Sequence, residues 1–119
     1  MAVQYSHLIN FYRGATHKVP YVFRAAGLLV DLTGKAVFFR LRNQNGKEVL
    51  YLASGTPANV KGSVLTITNA LGGAFTVLIT DEETAAFTFQ NGTWEIGVID
   101  SAGDIRFIGK GRATEGFAK

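Results

Sequence analysis

Apolar and polar residues alternate with a period of two along most of this chain, and clusters of Gly, Asn, Asp, Ser and Pro interrupt the alternation about every 8 to 12 residues. That pattern predicts a series of short strands joined by tight turns. The strands fall over residues 8–13, 17–24, 35–42, 47–53, 63–68, 73–80, 93–100 and 105–112, with a short apolar run at 28–30 between turns and Pro20 marking an edge position or a bulge. Val37, Phe39 and Leu41 share one side of their strand, as do Leu65 with Ile67, then Phe75, Val77 and Ile79, and then Trp94, Ile96 and Val98. These are the expected core. Asn43-Gln44-Asn45-Gly46 predicts a type I′ hairpin turn, because Asn-Gly readily supplies two positive φ angles. Residues 54–62 read as a loop. The one helical segment is expected at 81–87, capped by Thr80 or Asp81, with Asp81, Glu82 and Glu83 in the first turn where the helix dipole favours them. The fold class that follows is all-β: an immunoglobulin-like β-sandwich of seven or eight antiparallel strands with one short helical turn near 81–87. Residues 1–119 form one domain, and 1–7 and 113–119, where the alternation fades, are expected to be docking tails.

The nineteen uncharged residues 62–80 have the length of a membrane span. Their polar Ser and Thr positions and the central Gly72-Gly73 pair fit two strands of a hairpin instead. Residues 1–15 lack a basic segment followed by an apolar one, so no cleaved export signal is expected.

Composition narrows the chemistry. Cysteine is absent, and His7 and His17 are the only histidines, which removes disulfides, thiolate metal sites and thiol nucleophiles. Neither histidine has an acidic residue at a ligand spacing, so both are expected at the surface or an interface. No serine lies in a G-x-S-x-G frame. The Gly109-Lys110-Gly111-Arg112 run lacks the spacing of a phosphate loop and continues a strand, where glycine permits close packing or a bulge. Asp81, Glu82 and Glu83 diverge around a helical turn and so do not converge on a metal or a substrate. No catalytic residue, cofactor or metal ligand is expected.

The net charge is +3. It is unevenly spread: residues 1–50 hold seven basic and two acidic groups (+5), the remainder five basic and seven acidic (−2). Arg40 with Arg42, and Arg106 with Lys110 and Arg112, form two basic stripes at even spacings. Each stripe reads either as a solvated face that discourages edge pairing or as a surface for an acidic partner. Nucleic acid calls for denser clustering than this.

Four pieces of the chain, in order, carry a family resemblance: Arg13-Gly14-Ala15-Thr16; Val30-Asp31-Leu32-Thr33-Gly34 followed by Phe39-Arg40-Leu41-Arg42; the segment from Leu78 through Phe87; and Gly92-Thr93-Trp94-Glu95-Ile96 with the turn from Asp100 to Gly109. Together they resemble the N-terminal immunoglobulin-like domain of tailed-phage baseplate upper proteins and related tail-fibre-associated proteins. The likeness spans roughly residues 11 to 112, with Trp94 standing where tyrosine is commoner in the family. It implies a virion protein made in the host cytoplasm, with other phage structural proteins as partners, and many copies in a ring or other symmetric assembly. It implies no enzyme activity, no membrane and no nucleic acid. With no fibre domain after Gly116, the expected role is an adaptor or collar-like piece of the tail, baseplate or fibre-attachment region. A capsid decoration protein is the alternative, and a small carbohydrate- or nucleic-acid-binding module a second. The contact residues expected are Tyr5, Phe11 and Tyr12 near the N-terminus, Arg40 and Arg42 on the first basic stripe, and Phe117 in the tail. Asp31 is expected to accept hydrogen bonds from the N–H groups of Thr33 and Gly34, making the DLTG motif a fold determinant first.

Overall fold

The computed structural model describes residues 9–25, 28–87 and 91–117. Among these, ten strands and one helix follow in order: β1 (Ile9–Arg13), β2 (His17–Val22), β3 (Arg24–Ala25), β4 (Leu28–Leu29), β5 (Ala36–Asn43), β6 (Glu48–Ala53), β7 (Val64–Asn69), β8 (Ala74–Ile79), α1 (Asp81–Ala85), β9 (Asn91–Ile99) and β10 (Ile105–Phe117). They build a five-stranded sheet, β1-β10-β9-β5-β6, a three-stranded sheet, β2-β8-β7, and a small β3-β4 ribbon. The order β10-β9-β5-β6 facing β2-β8-β7 is the GFCC′ over BED arrangement of a variable-type immunoglobulin sandwich.

The alternating pattern dictates what lies between the sheets. Val37, Phe39 and Leu41 of β5, Trp94, Ile96 and Val98 of β9, Phe75, Val77 and Ile79 of β8, and Leu65 of β7 are all buried in one cluster. Each large apolar side chain removed from water there contributes roughly 1.5–3 kcal/mol. Pro20 sits on β2, an edge strand, where its missing N–H disrupts no ladder on the outer side.

The expected count of seven or eight strands is exceeded because the predicted strand 17–24 ends as β2 at Val22, and Arg24 starts a separate β3-β4 ribbon. Nor is the pairing wholly antiparallel: β1 runs parallel to β10, from Ile9 opposite Ala113 to Arg13 opposite Phe117. This corrects the expected tail at 113–119, since residues 113–117 complete a 13-residue strand. Residues 1–7, the other expected tail, lie outside the described residues. The register of β10 against β9 shifts between Phe107 and Gly109, the irregularity the glycine permits.

The 43–47 turn also differs from expectation. Gly46 N donates to Asn43 O (3.0 Å) and Asn43 N to Lys47 O (2.9 Å), closing a three-residue loop with Gly46 at φ 79°, where a two-residue type I′ turn was expected. The Asn43 side chain selects this geometry, because its Oδ1 accepts from both Asn45 N (2.9 Å) and Lys47 N (3.1 Å). Asp100 organises residues 100–104 identically, accepting from Ala102 N and Asp104 N at 2.9 Å each. Asn59 does so a third time, accepting from Lys61 N (3.0 Å) and Ser63 N (2.9 Å).

Helix α1 is shorter than the predicted 81–87 and ends at the cap Ala86. Thr80 caps it, accepting from Glu83 N at 3.3 Å. Buried Thr84 ties the helix to the β1–β2 turn, accepting from Gly14 N (3.2 Å) and donating to Ala15 O (2.8 Å). Of the three acids, Glu83 turns inward and accepts from Asn59 Nδ2 at 2.7 Å, fixing the 59–63 loop. In the DLTG segment Thr33 N donates to Asp31 Oδ1 at 2.8 Å, and Lys35 N closes the turn on Leu32 O. The bond expected from Gly34 N–H is not made. Thr33, through its hydroxyl and then its N–H, holds the Asp31 carboxyl below its ordinary value, with the charge of Lys35 adding to the effect. Leu32, between these polar residues, is buried and anchored by its N–H to Ala70 O.

Candidate functional site

The outer face of the five-stranded sheet carries a polar and aromatic constellation. Strand β5 supplies Phe38, Arg40 and Arg42, alternate residues that point away from the core. Register sets Arg40 between Tyr51 of β6 and Glu95 of β9, and Arg42 beside Thr93. Glu48, at the start of β6, completes the group.

Phe38 is the unexpected member. It faces outward, yet only 1% of its surface is exposed. Two neighbours account for that. Gly97 lies opposite it on β9, and a Cβ there would come within 2.5 Å of the Phe38 Cζ, so the missing side chain makes the recess in which the ring lies. On its other flank the ring stacks on Tyr51, centroids 5.7 Å apart and planes 21° from parallel. The Arg40 guanidinium then sits 5.3 Å from both ring centroids. Such cation–π contacts are worth about 0.5–1 kcal/mol each at an exposed site and more once desolvated.

The carboxylates hold both arginines. Arg42 Nε donates to Glu95 Oε1 at 3.1 Å, and Arg42 Nη1 reaches Gly46 O at 3.3 Å. Arg40 Nη1 lies 3.9 Å from the same Glu95 oxygen, and Arg40 Nε lies 3.2 Å from Glu48 Oε1 as an ion pair without hydrogen-bond alignment. The first basic stripe is therefore a locally neutral network of two arginines and two glutamates. The second stripe is split by the bulge in β10: Arg106 lies opposite core-facing Val98, whereas Lys110 lies opposite Glu95 and Arg112 opposite Thr93, on the face of Arg40 and Arg42, so the three do not share the one face their even spacing predicts.

Of the expected contact residues, Tyr12, Arg40 and Arg42 lie in the five-stranded sheet, with Tyr12 48% exposed on the outermost strand. Phe11 does not belong with them. It is 1% exposed because β1 turns it inward, where its ring meets Phe87 edge-on and His17 at 4.8 Å. Tyr5 lies outside the described residues, and Phe117 is described only as the backbone end of β10. His17, expected at the surface or an interface, is half-buried against Phe11, and burial pushes its pKa down. Phe38, Tyr51, Glu48 and Glu95 are additions from the structure. The sequence signal for Phe38 was an aromatic on the polar side of an otherwise alternating strand.

Geometrically, the site is a preorganised patch that can present an aromatic ring and a stacked guanidinium to a partner, and Tyr, Phe and Arg are the residues enriched at protein interfaces. Among the described residues no three potential metal ligands converge. The fold and this face together define a β-sandwich with a packed polar and aromatic outer face. In comparisons with known proteins, the chain matches no family model and no curated relative.

Proposed function

We propose that the chain is a structural subunit of a tailed-phage particle, an adaptor in the tail, baseplate or fibre-attachment region that acts by contact and not by catalysis. The observation that carries this reading is the outer face of the five-stranded sheet, where Tyr51 stacks on Phe38 and Arg40 lies over both rings and pairs with Glu48 and Glu95. A side chain already fixed in its bound geometry loses little entropy on association, which suits a permanent assembly contact. The resemblance described above adds a consistent layout. Its pieces fall at the β1–β2 turn, the approach to β5, the α1 corner and the β9–β10 hairpin.

The test is mass spectrometry of separated heads and tails from purified particles encoded beside this sequence. The reading expects the chain in the tail fraction at a fixed small copy number, and its loss from particles when Tyr51→Ala and Arg40→Ala are combined. Hundreds of copies in the head fraction would replace it with the decoration role. Complete absence from particles would overturn it.

A further inference from the structure

We propose that the outer edge of β7 is a self-pairing surface, at which two copies of this chain join their three-stranded sheets antiparallel about Thr66. The inference stands apart from the functional reading above and survives its failure.

The argument begins with the edges. A free strand edge is a template for further pairing, and proteins ordinarily guard it with charge or proline. Among the described residues, β1 carries Arg13, β2 carries Lys18 and Pro20, and β6 carries Glu48. Strand β7, Val-Leu-Thr-Ile-Thr-Asn, is the outermost strand of its sheet and carries neither safeguard. Outside its sheet, no backbone–backbone hydrogen bond among the described residues engages residues 64–69. Residues 64–67 line an open cleft of about 490 Å³ together with Lys35, Ala36 and residues 54–56.

The occupant follows from the strand's own sequence. An antiparallel pair centred on Thr66 sets Thr66 against Thr66 and Leu65 against Ile67 of the second copy. Residues of equal parity then face each other, so both apolar inner faces stay on one side of the joined sheet. No charged side chain meets another within the strand. The register shift between Ile67 and Asn69 ends the regular edge just beyond this pairing. Two of the three most exposed large apolar side chains among the described residues flank β7: Val60 (103%) before it and Leu71 (74%) after it. Antiparallel pairing carries Val60 of each copy to the end where Leu71 of the other lies, so both find apolar company.

Three proteins test this: wild type, Thr66→Lys and Thr66→Cys. Thr66 is exposed, and its cross-strand neighbour on β8 is Thr76, so both variants are compatible with the fold. Sedimentation across a dilution series should show a monomer–dimer equilibrium for wild type and a monomer for Thr66→Lys, in which two like charges would face each other. In the otherwise cysteine-free chain, Thr66→Cys should form a disulfide-linked dimer under mild oxidation, since directly opposed residues in such a pair lie within bonding reach. Thr93→Cys, on the other sheet, is the control and should stay unlinked. If Thr66→Lys fails to fold, the crosslink decides alone. A wild type that stays monomeric at every concentration, or a Thr66→Cys protein that links no faster than the control, overturns the proposal.

Discussion

Replacing Gly97 by alanine places a methyl group where the Phe38 ring now lies. An ideal Cβ would come within 2.5 Å of Phe38 Cζ, closer to Cε1, and 3.2 Å from the Arg106 carbonyl. The ring cannot drop inward, because Val37 and Phe39 already fill the core on the opposite face. It must swing toward Tyr51 and Arg40, and overpacking of this kind costs about 1–3 kcal/mol. Thermal unfolding should register that as a fall of several degrees, since 1 kcal/mol shifts Tm by about 4–8 °C in domains of up to 100 residues and somewhat less in larger ones. The cause can be isolated by a double-mutant cycle. Phe38→Ala removes the obstructing atoms, so Gly97→Ala in that background should cost less than about 0.5 kcal/mol, leaving a coupling of about 1–2 kcal/mol. Equal costs for Gly97→Ala in both backgrounds would refute the account of Phe38 as an outward ring seated in a glycine recess. The penalty would then belong to the β9 backbone.

Three further outcomes are expected. Thr84→Val keeps the shape of the buried side chain but leaves Ala15 O and Gly14 N without their partner, and chemical denaturation should show a loss of about 1–3 kcal/mol. Glu95→Gln should cost less than about 1 kcal/mol, because Arg42 is partly solvated and such pairs are weak, and the difference from wild type should shrink as salt is raised. His17 has its pKa lowered from 6.5 by burial, so the folded state resists a proton that the unfolded chain accepts. Its contribution to stability is fully present above pH 6.5 and is lost as pH falls through that value toward the folded pKa. Tm against pH should therefore be flatter over this window in His17→Gln than in wild type.

The fold was legible where a single physical rule governed the residues. Trp94, Ile96 and Val98 were assigned to the core because period-two alternation leaves no other arrangement for a strand covered on one side, and all three are buried. Thr80 was one of two proposed caps because its hydroxyl can reach an otherwise unsatisfied amide, and it does. Expectation failed where a second element decided the outcome. Phe11 sits in an alternating run whose phase is ambiguous, and its inward side is set by β10, about a hundred residues later in the chain. The parallel pairing of β1 with residues 113–117 has no local signature, since main-chain hydrogen bonds there join two segments remote in sequence. The 43–47 turn was located correctly but typed wrongly, because the Asn43 side chain, which competes for Asn45 N and Lys47 N, outweighed the Asn45-Gly46 dipeptide.

The candidate site illustrates the same division more sharply. Sequence spacing marks Arg40 and Arg42 as a basic stripe, and the strand does place them on one face. Spacing within a strand says nothing of what lies across from it, however, and β9 delivers Glu95 between them while β6 delivers Glu48. The consequence for recognition is specific. Glu48 and Glu95 neutralise the two arginines, but register sets Lys110 and Arg112 of β10 on the same face, so it carries four basic residues to two acidic ones. An acidic partner is then drawn to the face by charge and held through desolvated contact with Tyr51 and the guanidinium plane. Association at this face should slow as salt is raised, and removal of the Tyr51 ring should speed dissociation. An association whose rate and lifetime are both unaffected by Tyr51→Ala would move the contact surface away from this constellation.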